Sequence, residues 1–111
     1  MSFMKIFASR ITEHSSIEYK EEFYNSLVGK DLWLLCRQFD GSCSYYDEWF
    51  KFVKSEYNEP DESMYYEVLT YNTYYNVIDC GYSIWSYLIH PKFPIELLTT
   101  DELKEKCSRY E

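Results

Sequence analysis

Glycine and proline are scarce in this chain: Gly29, Gly41 and Gly81, with Pro60, Pro91 and Pro94, are all that 111 residues contain. So few breakers, and no low-complexity tract or repeat, leave no linker, and one domain spanning residues 1–111 is expected. Histidine is scarcer still, with only His14 and His90. The four cysteines, Cys36, Cys43, Cys80 and Cys107, form no CxxC pair. Their spacing matches no common zinc pattern, so neither a metal nor another cofactor is expected. A glycine-rich phosphate loop and a GxSxG elbow are both missing. A Cys–His pair built from Cys36 or Cys80 with His90 is the one nucleophilic constellation available, and no local motif supports it. The expectation is a protein that is not an enzyme.

No apolar run approaches the length of a membrane span. The first eleven residues carry Lys5 and Arg10 inside their apolar pattern, unlike a signal peptide. Free thiols in the cytoplasm are the expected state of the cysteines.

Positive charge is also in short supply. Eleven Lys and Arg face nineteen Asp and Glu, for a net charge of −8. Phosphate contacts require basic side chains, so direct nucleic-acid binding is excluded, and so is docking on an anionic membrane. The deficit is local. Residues 41–80 hold eight acids and two bases, whereas the segments on either side are each near balance, at −1.

Aromatic residues are abundant instead, at 21% of the chain, thirteen of them Tyr. A chain this short buries only about two-thirds of its unfolded surface. Part of the Tyr complement must therefore lie at the surface, where an apolar ring with one polar handle suits an interface.

The periodicity predicts a mainly α domain of about six or seven short helices around a central helix over 73–90. There Tyr74, Val77, Ile78, Tyr82, Trp85, Leu88 and Ile89 recur at helical spacing before Pro91. Helices are predicted over 2–13, over 17–28 behind a Ser15 or Ser16 cap and ending at Gly29, over 30–39, over 43–57, from Asn58 to about 72, and after Thr100. Asp47 and Lys51 would form a favourable i, i+4 pair on the fourth of these, and Leu103 with Cys107 the inward pair of the last. His90 would end the central helix, where the helix dipole favours its charged form. An α+β fold with a small sheet from 5–11 and 65–89 is the alternative, because Tyr, Val, Ile and Trp also favour strands.

The middle third interleaves Asp47, Glu48, Glu56, Glu59, Asp61, Glu62 and Glu67 with Tyr45, Tyr57, Tyr65 and Tyr66. Acids can occupy the places of phosphates, and rings can supply desolvated anchors. These residues are the expected contacts with a basic protein such as a nuclease or another nucleic-acid-binding effector. The expected role is a non-catalytic inhibitor, in the manner of a toxin immunity protein or antitoxin. A phage counter-defence protein of anti-CRISPR or anti-restriction type, mimicking DNA charge, fits the same composition. A small Cys/His enzyme or a homo-oligomeric structural subunit is the remaining alternative.

Overall fold

The computed structural model describes residues 3–39, 42, 44–58, 63–72, 77–83 and 90–108. Its elements run α1 (Phe3–Ser9), α2 (Ile17–Leu27), β1 (Trp33–Phe39), β2 (Tyr45–Asn58), β3 (Ser63–Asn72), β4 (Val77–Ser83), β5 (His90–Pro91), β6 (Leu97–Leu98) and α3 (Thr100–Ser108). The strands make one antiparallel sheet in the order β4-β3-β2-β1-β5, and β6 pairs β1 beside β5. Helices α1 and α2 cover one face of it, and α3 covers part of the other.

This overturns the mainly helical expectation. The predicted helices over 30–39, 43–57 and 58–72 are β1, β2 and β3. Residues 77–83 of the predicted central helix are β4, and His90 is in β5 rather than at a helix end. The rest of that helix, 73–76 and 84–89, lies outside the described residues. The alternative sheet from 5–11 and 65–89 is also corrected at its first strand, since 5–9 belong to α1.

The physical reason is that the sheet is buried on both faces. Trp33, Leu34, Leu35 and Cys36 are 2%, 0%, 9% and 0% exposed, so four successive side chains, pointing alternately to opposite faces, are all inside. Such a strand shows no polar alternation, and its unbroken apolar run is indistinguishable from a buried helix by spacing alone. Density of Trp, Tyr, Phe and Val then favours the pleated backbone.

On the first face Leu34, Cys36, Phe50, Phe52, Tyr66 and Val68 meet Met4, Ala8, Phe23, Tyr24 and Leu27 of the two helices. Rings do most of the filling. Tyr24 stacks on Phe52 at 5.4 Å, and Tyr66 stands edge-on to both at 5.9 and 5.3 Å. Offset and edge-on pairs of this kind are the favoured aromatic geometries. On the second face Trp33, Leu35, Trp49 and Tyr71 meet Leu103 of α3, with Cys107 partly buried beside it.

Local chemistry sets the helix ends. Ser16 caps α2 by accepting from the Tyr19 N–H at 3.1 Å, so Ser16 rather than Ser15 is the cap. Gly29 follows the helix at φ 78°, a left-handed conformation that other residues adopt only with strain. Its N–H reaches the Phe52 carbonyl at 3.1 Å and ties the helix end to β2. The cap of α3 is Thr99, one residue before the predicted Thr100. Thr99 Oγ1 accepts from the Glu102 N–H at 3.2 Å, and Glu102 accepts the Thr99 N–H at 3.1 Å. That is a reciprocal capping box, and it holds the Glu102 carboxyl below its usual range. Thr100 does other work: its hydroxyl donates to Asp31 and accepts from the Trp33 indole N–H at 3.0 Å. That bond to Asp31 is the main reason its carboxyl is held low, with Lys51 at 3.3 Å assisting.

Two predictions follow from this packing. Thr100→Val leaves the indole N–H of buried Trp33 without an acceptor. It should cost about 1–2 kcal/mol in denaturant unfolding, with an unchanged slope. Burial also pushes the Tyr24 and Tyr66 hydroxyls above their ordinary range. An unfolded Tyr ionises near pH ~10, so the stabilisation is fully present below that pH and is lost as pH rises beyond it. Alkaline titration should show the exposed Tyr ionising first and the buried pair only as far-UV ellipticity collapses; tyrosinate absorbance that rises in one step with the fold intact would contradict this.

Candidate partner-binding surface

Strand β2 is the spine of the acid-rich segment, and it is long. Only Tyr45 to Lys51 pair with β1, whose register ends at Trp33↔Lys51. Pairing with β3 continues past that point to Asn58↔Ser63. Among the described residues β4 pairs with β3 as far as Tyr66↔Ser83. Among the described residues, the outer part of the β2–β3 hairpin therefore runs on as a two-stranded ribbon beyond its pairing with β1 and β4. The register shifts between Phe52 and Lys54, leaving Val53 as an extra residue where β1 pairing stops. A bulge at that point bends the strand and strengthens its twist.

The structure divides the sequence-derived candidates between two ends and two faces of this sheet. Tyr45, Asp47 and Glu48 lie at the start of β2, and Glu56 and Tyr57 near its end. Nine residues of extended chain separate Asp47 from Glu56, about 30 Å. Glu59, Asp61 and Glu62 lie outside the described residues. Asp47 and Glu48, being adjacent on a strand, project to opposite faces. Glu48 shares the face of buried Cys36, its register partner, and Asp47 that of Arg37.

At the first end the charge is internally balanced. Asp47 accepts from Lys92 Nζ at 2.6 Å and has Arg37 Nε at 3.8 Å. Its predicted helical partner Lys51 is about 13 Å further along the extended strand. Lys51 pairs with Asp31 instead. Tyr45 is 67% exposed there. The Cys36 thiol is pushed well up, first by burial and then by the Glu48 and Asp47 carboxylates, so it is a neutral core group.

At the ribbon end the balance differs. Residues 54–67 contain five acids, Glu56, Glu59, Asp61, Glu62 and Glu67, against Lys54, a net charge of −4. Glu56 is exposed opposite Tyr65, and Glu67 pairs across the ladder with Lys54. Tyr57 is 55% exposed and Val53 44%. Tyr57 is among the contacts expected from the sequence and Val53 is not; its place beyond the β1 register is what exposes Val53. Tyr66 is fully buried, with its hydroxyl on the Glu21 carbonyl at 3.4 Å, and belongs to the core rather than to any surface.

Nothing comparable in chemistry gathers elsewhere among the described residues. Cys36 and His90 sit at neighbouring ladder positions, Cys36↔Pro91 and Arg37↔His90, so their side chains leave opposite faces of the sheet. Burial and Lys20 both hold the His90 imidazole below its ordinary range. No group of three or more His, Cys, Asp or Glu among the described residues could hold a metal ion, and no helix among them is long and apolar enough to cross a membrane. A cavity of about 570 Å³ between α1 and the 94–97 segment is lined mainly by apolar side chains, and its carboxylate, Glu96, is held by Lys106 at 2.6 Å. No known protein family, characterised protein or solved structure matches this chain.

Proposed function

We propose that the protein is a non-catalytic inhibitor, which binds a basic, nucleic-acid-acting protein and covers its working surface with the end of the β2–β3 hairpin. An immunity protein or antitoxin acts on its toxin in this way. The observation that supports this reading is that a sequence segment of net charge −4, residues 54–67, coincides with the part of the β2–β3 hairpin beyond its β1 pairing, where Val53 and Tyr57 are exposed. Charge at a projecting end speeds and orients the approach of a cationic cleft, and the exposed ring supplies apolar area once water is expelled.

Mimicry of DNA by the whole molecule is less well supported. A duplex carries one negative charge per ~1.7 Å of its axis. Here Asp31, Asp47 and Glu96 are matched by Lys51, Lys92 and Lys106, so the unbalanced charge is concentrated rather than spread.

The test is to reverse Glu59, Asp61 and Glu62 to Lys together, with circular dichroism confirming the fold. Wild-type protein immobilised against lysate of the native host should retain a basic, nucleic-acid-acting protein and block its activity. The reversed variant should bind that protein about tenfold or more weakly, with a flatter salt dependence. Equal affinity and equal salt slope for both would overturn the reading.

A further inference from the structure

The part of β2 beyond its last β1 pair is a strand edge. Lys51 is the final residue paired with β1, and the Gly29 N–H closes the same side at the Phe52 carbonyl. From Val53 to Asn58, β3 is the only strand that pairs with β2 among the described residues. Every other backbone N–H and C=O of an extended strand points away from its existing partner. This stretch therefore presents a short row of donors and acceptors, flanked by exposed Val53, Lys54, Glu56 and Tyr57.

We propose that this edge is itself the docking element, taking an extended basic segment of the partner protein as an additional strand. The inference rests on the reading that the ribbon end is where a basic partner binds, and it specifies how. An added strand places its side chains alternately on the two faces of the ribbon. One set lies beside Glu56 on the face shared with Tyr65, and suits Lys or Arg. The alternate set lies beside Tyr57 on the face shared with Met64, and suits an apolar side chain. Main-chain bonds supply affinity, and the two side-chain rows supply selectivity for an alternating basic–apolar segment.

A second copy of this chain is the less suitable occupant. Each copy carries −8 overall and −4 over residues 54–67, so self-pairing brings like fields together, whereas a cationic strand gains from both. Lys54 on the edge is the kind of residue that discourages pairing between identical strands.

Amide hydrogen exchange on the intact chain, followed by NMR, tests the proposal with a blocked peptide of alternating Lys and Val as the probe. The control is the same peptide with every backbone amide N-methylated, which keeps the charge and cannot donate to a ladder. The expected result is exchange slowed about tenfold or more at alternate amides between residues 53 and 58 with the first peptide, and no slowing with the second. Equal binding of both peptides, with shift changes confined to 59–62, would overturn strand addition while leaving the acidic contact in place. Failure of the unmodified peptide to slow any of these amides would also overturn it. Edge amides already protected without peptide, together with a dimer by light scattering, would assign the edge to a second copy and overturn it equally.

Discussion

Burial of one antiparallel sheet on both of its faces is the constraint from which the remaining features descend. Strand β1 has no polar side, because Trp33 and Leu35 answer to α3 while Leu34 and Cys36 answer to α1 and α2. A domain of 111 residues can sandwich a sheet in this way only by filling the gaps with large side chains, and the rings of Phe23, Tyr24, Phe52 and Tyr66 do so. The high aromatic content is therefore first a packing solution. Surface rings such as Tyr57 are what remains where the covering layers end.

The same constraint sorts the charges. Three carboxylates in the body of the protein are matched by cations: Asp31 with Lys51, Asp47 with Lys92 and Arg37, Glu96 with Lys106. Lys106 also stands over the Trp49 ring at 5.3 Å, so one cation serves both an ion pair and the aromatic surface beneath α3. Exposed pairs of this kind contribute little stability individually, at about 0–1 kcal/mol. Their consequence is in the field of the molecule. They cancel part of the charge over the body of the protein, whereas residues 54–67 by themselves carry half of the net charge of −8. An acidic protein whose charge is densest on one segment has a direction of approach, which an evenly charged one lacks.

The ends of elements show how local and distant interactions divide the work. Ser16 and the Thr99–Glu102 box are chemistry between residues three apart, and they need no tertiary context. Thr100, next in sequence to a cap, is given over to residues nearly seventy positions away, Asp31 and Trp33. It pins the start of α3 to the sheet edge where β1 begins. Neighbouring threonines with the same side chain thus do unrelated jobs, and only the arrival of β1 distinguishes them.

What the chain determined unaided is what depends on near neighbours and on counting. Helices α1, α2 and α3 follow from apolar spacing with caps and with Gly29 just past an end, and the acid excess of residues 41–80 follows from composition. Tertiary structure decided the rest. Residues 33–36 fit helical spacing because a strand covered on both sides is apolar at successive positions, so any period fits it. Which face each side chain then takes depends on the ladder register and on the one-residue shift at Val53, and these exist only when β2 lies against β3. That register buried Tyr66 and left Val53 and Tyr57 exposed, because pairing between distant strands sets direction in a sheet while the sequence along one strand does not.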